Sequence, residues 1–206
     1  MTQLTSITIS PNNEPTGLVV LLHGWGANCN DLTPLAKQLN LPDYRFEFPD
    51  APLPHPQVPG GKMWYDLENL EEFKGLPESR QILIDWLISL ESKTGIPLSK
   101  TILCGFSQGG AMAMDVGVTL PIKGLIILSG YLHSQLQPSG EKLPPVLVTH
   151  GTQDPVVPIE QGRRTRDTFT SLGANIQYQE FNMGHEIIPE IVKLMRSFVI
   201  DTMAKV

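Results

Sequence analysis

Seven short apolar runs punctuate the chain, each too brief for a helix: residues 6–9, 18–23, 44–48, 101–106, 124–128, 146–150 and 176–180. Several, such as Leu18-Val-Val-Leu-Leu and Gly124-Leu-Ile-Ile-Leu, are apolar at consecutive positions. Both faces of such a strand are covered, as in a parallel sheet packed between helices. Between the runs lie segments of helical period, predicted over 31–39, 79–93, 107–118, 161–172 and 188–203. The second carries Ile82, Leu83, Trp86, Leu87 and Leu90, an i, i+3, i+4 stripe. Asn30 or Asp31 can cap the first, and Gly173 is placed to end the fourth. Strand–helix alternation of this kind implies right-handed crossovers. The predicted fold class is therefore α/β: a mostly parallel central sheet with helices on both faces.

One segment breaks the rhythm. Residues 48–61 hold five prolines and two glycines and fit neither helix nor strand. With Leu53 and Val58 exposed on it, and Met63 and Trp64 just beyond, it reads as a pocket wall that contacts substrate. The competing reading is a surface loop packed by its own side chains.

Composition narrows the picture. At 206 residues, 41% hydrophobic and 17% charged, the chain describes one globular domain over 1–206 that can bury a core without disulfides. A net charge of −6 with no cluster of Lys or Arg makes nucleic acid a poor partner. Arg163, Arg164 and Arg166 read as the solvated side of a helix. Two cysteines, Cys29 and Cys104, make no disulfide framework and point to a reducing compartment. The N-terminus shows no charged-then-apolar leader, and no apolar stretch nears 18 residues. The expectation is a cytoplasmic protein without stable membrane insertion. No His-Glu-x-x-His or Cys-x-x-Cys spacing occurs, so neither metal nor cofactor is expected.

The chemistry begins at Gly105-Phe106-Ser107-Gln108-Gly109, a match to G-x-S-x-G. The bare pattern is weak; its context carries it. A buried strand leads in, and Ala111-Met-Ala-Met begins a helix just after. That arrangement lifts a serine hydroxyl out of the sheet on a tight turn, and glycines two residues either side let backbone approach closely. A phosphate loop fits poorly, because the glycines are not spaced G-x-G-x-x-G and no Lys follows.

A serine needs a base, and the base a carboxylate to orient it, in chain order Ser, acid, His. Three histidines follow Ser107. His133 precedes every strand that could supply the acid. His150 ends a strand, where a packed structural role is expected. His185, in Asn182-Met-Gly-His, sits in a loop between the last strand and last helix and is the candidate base. Asp154, in the turn after the strand at 146–150, is the candidate acid; Asp167 falls mid-helix, where a surface charge is the default. Asp154 would fix the imidazole tautomer and stabilise the imidazolium. For the oxyanion, backbone N–H groups of Gln108 and of Trp25, in the turn His23-Gly24-Trp25-Gly26, are the candidate donors. Val157, beside Asp154, is a further candidate for the substrate cleft.

With these motifs placed, the chain resembles the carboxylesterase/phospholipase family of α/β-hydrolases that includes acyl-protein thioesterases. The resemblance runs through Leu22-His-Gly-Trp-Gly, Pro49-Asp-Ala-Pro, Met63-Trp-Tyr-Asp, Gly105-Phe-Ser-Gln-Gly-Gly, Leu128-Ser-Gly-Tyr-Leu, His150-Gly-Thr-Gln-Asp-Pro-Val-Val-Pro and Met183-Gly-His. It implies the same Ser107, Asp154 and His185, the same two oxyanion donors, and no large cap domain. It also implies a shallow cleft and activity on short to medium acyl esters, lysolipids or S-acylated protein. Trp25 departs from the family's usual leucine and would narrow the acyl pocket. A non-catalytic binding protein of this fold and a transacylase remain as alternatives, and monomer and homodimer are both open.

Overall fold

The computed structural model describes residues 4–67, 73–140 and 142–205; the first three residues of the N-terminal stretch read above lie outside that range. Among the described residues seven strands form one sheet: β1 (Ser6–Ile9), β2 (Gly17–Leu22), β3 (Tyr44–Pro49), β6 (Thr101–Phe106), β7 (Gly124–Leu128), β8 (Val146–Gly151) and β9 (Ile176–Phe181). Their order is β1-β3-β2-β6-β7-β8-β9. Only β1 runs antiparallel to its neighbour, and the remaining pairs are parallel. Each of the seven predicted strands is present, with ends shifted by no more than a residue.

Period-two alternation sorts the strand residues onto two cores. Leu18, Val20, Leu22, Leu103, Leu125, Ile127, Val146 and Val148 face one side. There they meet Leu83, Trp86, Leu87 and Leu90 of helix α2 (Leu76–Thr94), Met112 and Val116 of α3 (Gln108–Gly117), and Phe169 of α4 (Ile159–Ser171). Val19, Leu21, Ile102, Cys104, Ile126, Leu128 and Leu147 face the other side. They pack on Leu35 and Leu39 of α1 (Pro34–Leu39) and on Ile191, Met195, Phe198 and Val199 of α5 (Pro189–Ala204). Each such side chain contributes about 1.5–3 kcal/mol by leaving water. Helices on both faces explain why β2, β6 and β7 read as unbroken apolar runs.

Three expectations shift, one of them the start of α2, which lies at Leu76 and not at residue 79. The first helix starts at Pro34, not at residue 31, because the preceding polar residues make their own turns. The Asn28 side chain accepts the Asn30 N–H, and the Thr33 hydroxyl donates to the Asn30 carbonyl. The proline-rich segment also holds a minimal hairpin, β4 (Leu53–Pro54) with β5 (Lys62–Met63), where neither strand nor helix is expected. Proline at 54 is tolerated because the pair is only two residues long and lies apart from the main sheet. No helix among the described residues is long and apolar enough to cross a membrane.

Candidate active site

Ser107 stands between β6 and α3 with φ 55° and ψ −119°, a region that non-glycine residues seldom occupy. Two glycines make the turn possible. A Cβ on Gly105 would lie 2.1 Å from the Gly109 carbonyl oxygen, and one on Gly109 would lie 2.2 Å from that of Leu22. The first contact closes the turn on itself. The second seats the start of α3 against the end of β2, so the two segments that carry the candidate donors meet. The N–H of Gln108 opens α3, where no preceding helical carbonyl can take it.

Across the sheet edge, the His185 Nδ1–H donates to Asp154 Oδ2 at 2.7 Å. The other carboxylate oxygen accepts the backbone N–H groups of Val156 and Val157, at 2.9 and 2.8 Å. Burial alone would push the Asp154 carboxyl up; the His185 bond and the two backbone donors outweigh it and hold it below the usual carboxylate range. Asp154 is therefore ionised at neutral pH. The His185 ring lies 4.7 Å from that of Phe106, centroid to centroid.

His150 is fully buried, and its Nε2–H donates to the Val157 carbonyl. The expected structural role fits this placement: it braces the turn that presents Asp154. Asp167 pairs with Arg166 on the exposed side of α4, as a surface charge.

Ser107 and His185 open onto one cavity of about 480 Å³. Gly24, Trp25, Ala27, Asp31, Leu67, Phe73, Phe106, Tyr131, Leu132, Val156, Val157, Pro158 and Gln161 complete its lining. Two of the candidate residues, Val157 and Trp25, belong to this lining. Leu53, Val58, Met63 and Trp64 do not: all four lie outside the cavity wall. Trp64 is fully buried and serves as a brace. Its indole N–H donates to the His23 carbonyl at 3.0 Å, and its backbone N–H donates to the Gln108 side-chain oxygen at 2.9 Å. The proline-rich loop reaches the cavity indirectly, through His55, whose ring meets Trp25 edge-on at 4.1 Å.

Sequence reasoning passed over Tyr131 and Phe73. From Tyr131 a part-buried chain of hydrogen bonds leads to Arg80. Asp115 Oδ2 accepts from Arg80 and from His133 Nδ1, each at 2.6 Å; His133 Nε2 meets the Tyr65 hydroxyl at 2.5 Å, and that hydroxyl meets Tyr131 at 2.6 Å. Only the quoted Ser-Gly-Tyr-Leu motif signalled Tyr131 in advance. His133, set aside as a base, belongs to this network.

Comparison with known proteins follows the same lines. A family model described as phospholipase/carboxylesterase matches residues 4–203. Acyl-protein thioesterase 1 of Neurospora crassa is 32% identical, the match covering 93% of this chain and 89% of that protein. Lysophospholipase-like protein 1 of Mus musculus is 27% identical, over 96% and 91% respectively. Among solved structures, esterase PE8 superposes with a TM-score of 0.88 at 30% identity, covering 98% of this chain and all of the other.

Proposed function

Because this chain belongs to the phospholipase/carboxylesterase family of ester and thioester hydrolases, we propose that it works through an acyl-serine intermediate formed on Ser107, with His185 as base and Asp154 as orienting acid. The observation that carries this reading is the Asp154–His185 hydrogen bond, which holds His185 in the lining of the cavity onto which Ser107 also opens.

The geometry supports a definite division of labour. Because Nδ1 is committed to Asp154, Nε2 is the nitrogen left to take the Ser107 proton. The serine oxygen attacks the acyl carbon, and the carbonyl oxygen gathers negative charge. The N–H groups of Gln108 and Trp25 receive that charge, each worth about 3 kcal/mol of barrier. Imidazolium then protonates the departing alcohol or thiol. Water, activated by the same nitrogen, releases the acid and restores Ser107.

The mainly apolar walls suit an acyl chain of short to medium length; Trp25, Phe73 and Val157 are the side chains that would touch it. The relatives' names fit a lysolipid or S-acylated protein as natural substrate. A fluorophosphonate probe should label the protein once, on the peptide carrying Ser107, as read by mass spectrometry. Labelling elsewhere, or none in a folded protein, contradicts the assignment.

A further inference from the structure

The turn His23-Gly24-Trp25-Gly26 is held by more contacts than a turn needs, and they converge on one side chain. His23 is buried, 1% exposed, at the end of β2. Its Nε2 accepts the backbone N–H of Ala51 at 3.0 Å, so the ring proton must reside on Nδ1. Nδ1 lies 2.7 Å from the Gly24 carbonyl oxygen, and the N–H donates to it. Burial lowers the affinity of the ring for a second proton, so the neutral tautomer persists.

The Gly24 carbonyl belongs to the same peptide unit as the Trp25 N–H. That unit is planar and trans, so its C=O and N–H point in opposite directions. Whatever fixes the carbonyl therefore aims the N–H. The Ala27 N–H also reaches the Gly24 oxygen, at 3.3 Å, in a turn that Gly26 permits with φ 79°. The His23 contact is shorter and comes from the rigid end of a sheet strand. Trp64 adds a second hold on the preceding peptide through the His23 carbonyl. A Cβ built on Gly24 lies 3.3 Å from that of Ser107, so this turn adjoins the nucleophile.

We propose that His23 is a positioning residue for the reaction: its Nδ1–H, locked by the Ala51 N–H on the opposite nitrogen, orients the Gly24–Trp25 peptide so that the Trp25 N–H meets the oxyanion. The inference rests on the acyl-serine reading above. It predicts an effect confined to the transition state, since the charge that Trp25 meets is absent from the bound ester. Displacing a donor by about 1 Å costs on the order of 10²-fold, and His23 controls an angle of that consequence.

Two substitutions separate this role from mere packing. In His23→Asn the side-chain amide sits where Nδ1 was and can still donate to Gly24, while the Ala51 contact is lost. In His23→Gln the amide reaches the Nε2 position and serves Ala51 instead. With p-nitrophenyl butyrate, kcat should fall about 30-fold or more in His23→Gln and by only about threefold in His23→Asn. KM should stay within twofold in both, and inhibition by an aryl boronic acid should weaken in step with kcat. Thermal unfolding by circular dichroism accompanies each measurement. If His23→Gln does not fold, Trp64→Phe replaces it, with an expected kcat loss of about fivefold at unchanged KM. Equal kcat in the Asn and Gln variants, a loss carried in KM, or wild-type kcat in Trp64→Phe overturns the proposal. Ser107→Ala is assayed alongside. If it is silent while His23→Gln matches wild type, only the positioning role fails; if it stays active, the acyl-serine reading fails first.

Discussion

His185 Nδ1 and Asp154 Oδ2 stand 2.7 Å apart, joining the loop before α5 to the turn after β8. Asp154→Asn keeps the shape but offers no anionic acceptor, so the imidazole loses its fixed tautomer and its imidazolium loses its partner. We expect kcat to fall about 10³- to 10⁴-fold with little change in KM. Steady-state kinetics with a p-nitrophenyl ester checks this; a loss under tenfold contradicts the role given to Asp154.

The Gln108 side chain holds the Trp64–Tyr65 backbone with both ends of its amide, accepting from Trp64 N–H and donating to the Tyr65 carbonyl at 2.8 Å. Gln108→Met retains the backbone N–H but frees the start of α3. The expected result is a kcat loss of about tenfold, with KM near wild type. An unchanged kcat in the folded variant shows that the clamp is dispensable.

Trp25 and His55 are expected to set acyl selectivity. Trp25 is 40% exposed at the cavity rim, and His55 holds its ring from the side. The His55 Nδ1 accepts the N–H groups of Gln57 and Val58, so the proline-rich loop fixes the imidazole and the imidazole fixes Trp25. Trp25→Leu should move the best p-nitrophenyl ester toward longer chains, and His55→Ala should move it the same way by less. A chain-length profile that does not change in Trp25→Leu refutes this.

Asp115 anchors the hydrogen-bond network that ends on Tyr131 of the cavity lining. Burial raises its carboxyl, but the hydrogen bonds and charges of His133 and Arg80 outweigh that and keep it below the ordinary range. A lowered folded-state value stabilises the fold at pH above about 4, and this contribution disappears as acid protonates the folded carboxyl. Asp115→Asn should lower stability at pH 7 by ~1–2 kcal/mol, since Arg80 is partly solvated, and the gap from wild type should narrow below about pH 4. Urea unfolding across pH reads both; a gap that does not depend on pH contradicts the ion pairing.

The sheet was legible because its strands are covered on both faces and so are apolar at every position. The turn that presents Ser107 and the meeting of His185 with Asp154 were legible for another reason: the strand–turn–helix context and the chain order restrict the choice. Of the cavity wall, only Trp25 and Val157 were legible. Tyr131 and Phe73 come to it through tertiary packing with no periodic signature, while Leu53, Val58 and Met63 look like a wall only because they are apolar in an irregular loop. That loop acts at one remove, through His55 on Trp25 and the Ala51 N–H on His23. The start of α1 was misjudged because Asn28 and Asn30 satisfy local turns in place of capping a helix.

The most direct test is hydrolysis of p-nitrophenyl esters from C2 to C12 by wild type and Ser107→Ala, with folding verified by circular dichroism. Wild type should turn over the short and medium esters, and the variant should lose about 10⁴-fold or more in kcat. Activity in Ser107→Ala within tenfold of wild type would contradict the assignment of the nucleophile, and with it the whole catalytic reading.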